Sequence, residues 1–258
     1  MNNNMHAPLP ISGVVITKNE ADRISRCLES MRGLCAELLV VDSGSDDDTV
    51  AVATTLGARV VHQDWLGYAA QKNHAMSLAT QPWLLLLDAD EWLADGAADS
   101  IRTLFTGNLI EEADAWVLTR HNWFLGRRLR QGEPSERLVR PGWRYLEALV
   151  HERPDLTGKR LRPLDAVIEH DTARSYADHL RKHQRYAQLW AQQRHANGKR
   201  SYPGEGWVHA LAYLLKSYLL RGALLEGREG WLYHLAHMHY VVDKYRFLRQ
   251  LGASKQGG

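Results

Sequence analysis

The N-terminal half of the chain alternates short apolar runs with polar turns and with segments of helical periodicity. Three apolar runs rich in β-branched residues, at 12–17, 38–41 and 58–61, predict buried strands. A fourth run, 83–87, contains four consecutive leucines after a tryptophan. Helical patterns lie between these runs, and the first of them reaches about Met31. Because strand and helix alternate at this spacing, we expect a parallel sheet with right-handed crossovers.

Three of the four predicted strands end in polar residues. The first is followed by Lys18-Asn19-Glu20, the second by Asp42 and a polar turn, and the fourth by Asp88-Ala89-Asp90. In an open α/β sheet, ligands bind beyond the carboxyl ends of the strands. These polar residues are therefore expected to meet at one edge of the sheet and to form a binding site there.

The pair Asp88 and Asp90 suggests a site for a divalent cation. Mg²⁺ and Mn²⁺ prefer oxygen ligands, and proteins commonly hold them with one or two carboxylates together with substrate phosphates. Such an ion would hold a diphosphate and stabilise the negative charge that develops as the diphosphate leaves. Asp90 is the expected direct ligand, and Asp88 would act through water or on a ribose. The alternative is that both carboxylates merely end a strand.

Four motifs follow one another in the first part of the chain: Thr17-Lys18-Asn19-Glu20, the turn from Val41 to Thr49, Gln71-Lys72-Asn73, and Asp88 to Trp92. Together they resemble the family 2 inverting glycosyltransferases, and most closely the bacterial lipopolysaccharide-core β-glycosyltransferases. The resemblance is tight over residues 11–92 and looser beyond them. It implies an α/β, GT-A fold, which is a Rossmann-like, mostly parallel sheet flanked by helices. It also implies transfer of a sugar from a nucleotide-sugar to a hydroxyl group with inversion.

The resemblance and the residue chemistry together suggest a donor pocket. Asp42 is suited to accept a hydrogen bond from the nucleoside, and by resemblance it contacts the base. Lys72 is expected to reach the diphosphate as a point charge, with a solvated helix lysine as the alternative. Asn73 binds the donor or instead ties loops together. The predicted donor-binding residues are Thr17, Lys18, Asn19, Glu20, Asp42, Lys72, Asn73 and Asp88.

An inverting transfer needs one general base to deprotonate the attacking hydroxyl group. Glu152 is the predicted base, because it lies beyond the acidic motif and matches the His-Glu pair of the family. His151 would orient this glutamate or the acceptor. The alternative for Glu152 is an ion pair with Arg153 or Arg137. His170 resembles the histidine that completes the metal site in some relatives, so the predicted metal ligands are Asp90, Asp88 and His170; a structural histidine is the other interpretation.

Arginines and aromatic residues are mixed between positions 120 and 140. Such a segment could bind nucleic acid or could hold phosphorylated sugars through bidentate hydrogen bonds. No established nucleic-acid motif accompanies it, so nucleic acid is not an expected partner. By resemblance we interpret residues 120–130 as an acceptor loop for an anionic glycolipid, which orders on binding. The predicted acceptor residues are Arg120, Asn122, Trp123 and Arg137.

The formal net charge of +2 hides an asymmetry along the 258 residues. Residues 1–173 carry 18 Lys and Arg against 25 Asp and Glu, whereas residues 174–258 carry 14 against 5, a net +9. Helical patterns in the basic part contain Trp, Tyr and Leu, but Lys216 and Arg221 interrupt the apolar run before it could span a bilayer. These helices either lie among the headgroups of an anionic membrane or pack on the catalytic domain or another subunit.

This organisation predicts a flexible N-terminus, a catalytic domain with a donor half and an acceptor half, and a basic helical C-terminal extension. The two cysteines, Cys27 and Cys35, indicate a reducing compartment. The first residues lack the pattern of a signal peptide, so we expect a cytoplasmic enzyme, peripheral on the inner membrane. The predicted bounds are 1–10, 11–173 (donor half 11–92, acceptor half 93–173) and 174–258.

The sequence therefore predicts an inverting glycosyltransferase that uses Mg²⁺ or Mn²⁺. The resemblance favours UDP-glucose or another UDP-sugar as the donor, and a lipid-linked saccharide such as lipopolysaccharide core as the acceptor. Transfer to a polyprenyl phosphate is an alternative, because that acceptor is already an anion and needs no base. A nucleotidyltransferase and a noncatalytic nucleotide-binding membrane scaffold are further alternatives.

Overall fold

The computed structural model describes residues 7–146, 153–220 and 223–253. The predicted base Glu152 and its neighbour His151 lie outside the described residues.

The chain divides into two compact units, which we call the strand unit and the helical unit. Of the described residues, 7–121, 132–146 and 153–170 form the strand unit, and 122–131, 171–220 and 223–253 form the helical unit.

Strands and helices alternate along the first part of the chain, as the apolar pattern predicts. The helix that begins at Thr49 ends just before Gly57, which has a positive φ of 84°. The elements up to residue 171 are β1 (Leu9–Thr17), α1 (Ile24–Met31), β2 (Cys35–Asp42), α2 (Thr49–Thr55), β3 (Arg59–His62), α3 (Tyr68–Leu78), β4 (Trp83–Asp88), β5 (Glu91–Leu93), α4 (Ala97–Thr106), β6 (Ala115–Phe124), β7 (Arg127–Val139), β8 (Tyr145–Leu146), β9 (Arg153–Pro154) and β10 (Leu161–Asp171).

The strands form one mixed sheet in the order β3-β2-β1-β4-β7-β6-β10-β5, and β8 pairs separately with β9. β1 runs parallel to both β2 and β4, and β2 runs parallel to β3. β7 is antiparallel to β4, and β5 is antiparallel to β10. The predicted parallel sheet is confirmed for the first four strands, and the later strands extend it in mixed orientation.

The leucines of β4 are buried on both faces of the sheet, as expected for a central strand. Successive side chains of a strand point to opposite faces. Leu85 and Leu87 belong to a buried cluster with α1 and α4, whereas Leu84 and Leu86 belong to a second cluster with α3. A strand with helices on both faces needs apolar residues at every position, so its sequence is a continuous apolar run.

β6 and β7 are joined by only two residues, Leu125 and Gly126. Both have positive φ angles, 49° and 82°, and a type I′ hairpin turn requires a positive φ at both of its central residues. The prediction of a loop at residues 120–130 is therefore wrong, because these residues form parts of two strands and a tight turn, whereas their role in acceptor binding stays a prediction. A leucine at a left-handed position gives no turn signal in the sequence, which explains the error.

The helical unit contains α5 (Tyr176–Ala196), α6 (Glu205–Leu215) and α7 (Gly227–Ala253). Ser175 caps α5, since its hydroxyl oxygen accepts a hydrogen bond from the Asp178 backbone N–H at 3.1 Å. α6 lies close against α7 because Gly206 has no side chain: a Cβ there would come within 3.0 Å of the Val242 carbonyl oxygen. Among the described residues, no helix combines the length and the apolar composition that crossing a bilayer requires.

Candidate active site

The carboxyl ends of three parallel strands meet at one edge of the sheet. Thr17 at the end of β1 pairs in register with Asp42 of β2, and the preceding residue, Ile16, pairs with Asp88 of β4. Thr17 and Asp42 are both buried. The expected convergence of the polar strand ends is therefore present in the strand unit.

Asp42 organises the turn that follows its own strand. One carboxylate oxygen accepts hydrogen bonds from the backbone N–H groups of Gly44 and Ser45, both at 2.9 Å, and the other accepts from the Ser45 hydroxyl. The Ser45 Oγ in turn accepts from the Asn19 N–H at 2.9 Å. Asn19 and Asp42 thus hold together the two loops that would border a nucleoside.

The loop after β1 is also held by the start of α2. The Glu20 N–H donates to the Thr49 Oγ1 at 2.8 Å, and the Ala21 N–H donates to an Asp47 carboxylate oxygen at 3.2 Å. Asp47 also accepts from the Thr49 N–H at 3.0 Å. Lys18 is exposed at this edge. The rim of the predicted donor pocket is therefore a hydrogen-bonded double loop.

Three consecutive residues of α3 have three different tasks. Gln71 is buried and donates to the Ser43 hydroxyl oxygen at 3.0 Å. The Lys72 Nζ lies 3.0 Å from an Asp88 carboxylate oxygen. Asn73 donates to the Tyr145 carbonyl oxygen at 2.9 Å and accepts from the Tyr145 N–H at 2.8 Å, so it ties α3 to β8. Lys72 is therefore the member of this motif whose charge reaches the strand ends.

Asp88 lies between two cations. Besides Lys72, the Arg137 guanidinium lies 3.6 Å from its carboxylate. Burial by itself would raise the pKa of Asp88, but Lys72 and Arg137 outweigh burial and lower this pKa well below its ordinary value. Asp88 therefore remains an anion over the physiological pH range.

A buried ion pair supports Asp88 from the interior. The Arg137 Nη2 lies 2.5 Å from Glu91 Oε1, and the Glu91 Oε2 accepts a hydrogen bond from the Asp88 backbone N–H at 3.0 Å. Both side chains are buried, at 5% and 0% exposure, and Arg120 approaches the same glutamate at 3.4 Å. This placement favours a structural role for Arg137 over the predicted acceptor contact, because a buried guanidinium has little surface to offer a substrate.

Asp90 and His170 are distant in sequence but adjacent in the structure. The antiparallel register of β10 with β5 pairs His170 with Glu91. The His170 Nε2 consequently lies 3.4 Å from an Asp90 carboxylate oxygen, and the Arg23 guanidinium lies 3.7 Å from the same oxygen. Two of the three predicted metal ligands are thus neighbours.

Asp90 and His170 fit a site for one divalent ion whose remaining ligands would come from a diphosphate. Two ligands at about 2.1 Å from one ion lie roughly 3 Å apart, close to the separation of the two side chains. Within the part of the chain that the structure describes, no group of three or more His, Cys, Asp and Glu side chains could hold a metal. Asp88 is instead engaged by Lys72 and Arg137, so phosphate oxygens would have to complete the coordination.

The remaining predicted acceptor residues belong to different units. Arg120 lies in the strand unit, where its guanidinium also pairs with Glu133 at 3.0 Å. Asn122 and Trp123 lie in the helical unit. Asn122 is buried, and the Trp123 carbonyl oxygen accepts from the backbone N–H of Thr172 at 3.0 Å.

Sequence reasoning missed Arg23 and Glu91. Arg23 immediately precedes α1 and reaches Asp90, and Glu91 anchors both the Asp88 backbone and Arg137. The only sequence signal for Glu91 is its place directly after Asp90. Nothing in the sequence identifies its partner, because that partner lies on a strand that is distant in the chain.

Comparison with known proteins adds a family to this geometry. Residues 12–108, which include all the strand ends described above, match the profile of "Glycosyl transferase family 2". The chain contains a family 2 glycosyltransferase domain. An uncharacterized glycosyltransferase of Rickettsia felis is 48% identical to this chain over 98 residues, which cover 38% of this chain and 35% of that protein. The matched part therefore spans about a third of the length of that relative.

Two further similarities extend beyond the family 2 domain. The lipopolysaccharide core biosynthesis glycosyltransferase LpsC of Rhizobium meliloti is 29% identical over 235 residues, which cover 87% of this chain and 86% of LpsC. The crystal structure of S. aureus TarS 1-349 in complex with UDP-GlcNAc superimposes with a TM-score of 0.52 at 16% identity, over 96% of this chain and 92% of that chain. The fold is accordingly of the GT-A type, with a mixed sheet flanked by helices.

Proposed function

We propose that this protein transfers a sugar from a nucleotide-sugar to a hydroxyl group of a lipid-linked saccharide, with inversion at the anomeric carbon and with the help of Mg²⁺ or Mn²⁺. The observation that carries the proposal is the set of charges at the ends of the parallel strands. Lys72 and Asp88 lie 3.0 Å apart there, and Asp90 and His170 lie 3.4 Å apart. This is the edge at which ligands of open α/β sheets bind.

Each side chain at this edge has a task in such a reaction. Lys72 would meet the diphosphate and offset the charge that develops on it. Asp90 and His170 would hold the metal ion, which supplies Lewis acidity at the departing phosphate when bound. Asp88 stays anionic and would either contribute to the metal site through water or contact the ribose. The double loop around Asp42 would border the nucleoside.

Glu152 remains the proposed general base, on the strength of its sequence context. It would take the proton from the attacking hydroxyl group in a single displacement, so no covalent nucleophile is needed. His151 would orient the glutamate or the acceptor.

The acceptor class is supported by the named relatives. LpsC is named as a glycosyltransferase of lipopolysaccharide core biosynthesis, and its similarity covers 87% of this chain. The succinoglycan biosynthesis protein ExoU of Rhizobium meliloti is 28% identical over 141 residues. We therefore propose an anionic, lipid-linked saccharide as the acceptor and the cytoplasmic face of the inner membrane as the place of reaction. A UDP-sugar, with UDP-glucose as the first choice, is the proposed donor.

Donor hydrolysis is the experiment that tests the site. Wild type and Asp90→Ala are incubated with UDP-, GDP- and ADP-sugars and with Mn²⁺, Mg²⁺ or EDTA, and the release of nucleoside diphosphate is measured. We expect release that depends on the metal and is lost in Asp90→Ala, while Asp95→Asn, a change at an exposed carboxylate of the same unit, retains it. Unchanged release in Asp90→Ala would refute the assignment. In a separate assay with a nucleoside triphosphate and a sugar 1-phosphate, release of pyrophosphate would indicate a nucleotidyltransferase.

The acceptor chemistry is tested with Glu152→Gln. If the acceptor is a hydroxyl group, turnover should fall on the order of 10²–10⁴-fold, because the general base is lost. If the acceptor is a polyprenyl phosphate, turnover should stay near the wild-type value. The matched control is Glu29→Gln, at an exposed glutamate of α1, which should be neutral with either acceptor.

A further inference from the structure

One face of α6 presents large apolar side chains to solvent. Trp207, Val208, Leu211 and Leu215 are each between 51% and 62% exposed. At 3.6 residues per turn these four positions fall within roughly 100° of the helix surface, so they form one continuous stripe, which we call the α6 stripe. Soluble surfaces usually scatter such residues singly, and a contiguous apolar patch indicates a partner.

The opposite face of α6 is the one that packs on α7. Gly206 and Ala210 are buried there, and the Tyr213 ring stacks on the His237 ring with centroids 4.2 Å apart. The α6 stripe is therefore not the core face of the helix pair. Leu225 and Trp231, which are 64% and 52% exposed, add further apolar surface in the same unit.

The charges on α6 and next to it in the sequence are mainly positive. Residues 206–225 contain two cationic residues and no Asp or Glu, within a C-terminal part of net charge +9. Lys216 at the end of α6 is exposed, as are Lys199 and Arg200 before it, whereas the side chain of Glu205 is only 18% exposed. A partner of this surface must therefore be apolar in its interior and negatively charged at its rim.

We infer that the α6 stripe inserts into the interfacial region of an anionic lipid bilayer, with α6 lying parallel to the membrane surface. A bilayer with acidic headgroups offers both properties at once, and a tryptophan suits the headgroup boundary. A second copy of this chain fits less well, because a symmetric contact would bring two basic surfaces together without acidic residues on the stripe to offset them. The inference deepens the proposed function and rests on its lipid-linked acceptor.

Vesicle binding by the full-length chain is the test. Co-sedimentation is measured with vesicles of phosphatidylcholine alone and of phosphatidylcholine mixed with phosphatidylglycerol. We expect binding to the anionic vesicles that weakens with added salt, and at least a roughly 10-fold loss of binding in Leu211→Asp. The matched control is Leu109→Asp, which changes a leucine 42% exposed in the strand unit and should bind like wild type.

A second variant reports the depth of insertion directly. Trp207→Phe keeps an apolar ring in the stripe, so it should retain binding but show less fluorescence quenching than wild type by lipids brominated on their acyl chains. Absence of binding to anionic vesicles, equal binding by Leu211→Asp and Leu109→Asp, or unchanged quenching in Trp207→Phe would each overturn the inference. Dimers that dissociate in Leu211→Asp, without vesicle binding, would show that a second copy covers the stripe.

The same variants separate this inference from the proposed reaction. Donor hydrolysis in solution needs no membrane, so Leu211→Asp should hydrolyse the donor at the wild-type rate while losing vesicle binding. Asp90→Ala should show the opposite result. Loss of hydrolysis with intact vesicle binding in Asp90→Ala, together with the reverse in Leu211→Asp, supports both proposals independently.

Discussion

The strand unit and the helical unit differ in what they present at their surfaces: the strand unit has charged residues where its parallel strands end, and the helical unit has an apolar helix face. In the strand unit, the leucines of β4 are buried between helices, and the carboxylates appear where the strands end. Those carboxylates are matched with cations, as Asp88 is with Lys72 and Arg137. The apolar sheet thus has its paired carboxylates and cations at one edge.

The helical unit combines a buried polar cluster with an exposed apolar helix face. His234 is buried, and its ring nitrogens lie 2.7 Å from the Tyr213 hydroxyl and 3.1 Å from Glu226. Glu226 also accepts a hydrogen bond from the Arg130 N–H at 2.8 Å, whereas Trp207 and its neighbours on α6 face solvent. A satisfied polar interior can hold helices together without using all their apolar surface, so the remainder stays available for a partner.

The largest expected difference between the units concerns ion pairs. Arg137→Ala should lower the free energy of unfolding by about 3–5 kcal/mol, because it leaves Glu91 charged and buried. Arg181→Ala in the helical unit removes the partner of Asp178 where the arginine side chain is 70% exposed, and should cost less than about 1 kcal/mol. Urea denaturation of both variants checks this. Similar losses would mean that the Glu91 pair is hydrated in solution.

The second prediction compares two lysines. Lys72→Met should reduce kcat/KM for the donor on the order of 10²-fold, since the cation that meets the diphosphate is lost. Lys199→Met, in the helical unit, should leave that value unchanged and weaken binding to anionic vesicles about fivefold. Steady-state kinetics and co-sedimentation on both variants provide the comparison. A lysine that affects both measurements equally would contradict the division of tasks.

The third prediction concerns pH and the strand unit alone. Burial opposes ionisation of Glu37, but hydrogen bonds from Ser12, Arg59 and Thr80 outweigh burial and lower the pKa of its carboxyl group to about 2. A lowered folded-state pKa contributes stability that is present above the unfolded pKa and is lost as pH falls through the folded value.

Glu37→Gln should therefore lower the free energy of unfolding by about 2 kcal/mol near neutral pH, and its difference from wild type should vanish as pH falls from about 4.5 to about 2. Denaturation at several pH values measures it, with the exposed Glu29→Gln as the control. A difference that does not change with pH would show that Glu37 stabilises the strand unit by packing and not by charge.

The smallest expected effect lies in the β6–β7 turn of the helical unit. Leu125 has a φ of 49°, a left-handed conformation that asparagine adopts more easily than leucine. Leu125→Asn should raise the free energy of unfolding by about 1 kcal/mol, and Gly126→Ala should lower it by a similar amount. Thermal denaturation of the two variants checks the opposite signs. Equal signs would exclude a left-handed turn at both positions.

Much of the donor side could be predicted from the sequence. The four apolar runs correspond to β1 to β4, and the polar residues after three of them do meet at one edge. This succeeded because the length of an apolar run and the alternation with helices are local properties, and parallel strands must present their carboxyl ends together. Asn73 ties α3 to β8 through its hydrogen bonds to Tyr145, in agreement with the alternative that it ties loops together.

Local sequence patterns did not predict the partners of these residues, and only the family resemblance placed His170 with Asp90. Asp90 meets His170 only because β5 and β10 pair in one register, and Arg137 reaches Glu91 from a strand inserted next to β4. The hairpin turn was also hidden, because leucine is rare at a positive φ. Contacts of this kind depend on strand order and register, which no local pattern contains.

The sequence by itself determined the parallel strands, the acidic residues at their ends, and the basic character of the C-terminal part. The tertiary structure decided which cation faces each carboxylate and which side of α6 remains exposed. The physical reason is that an amphipathic pattern specifies a buried face only when the rest of the chain supplies a partner. Gly206 and Ala210 allow α6 to approach α7 closely, so the small residues are buried and the large apolar residues of α6 face outward.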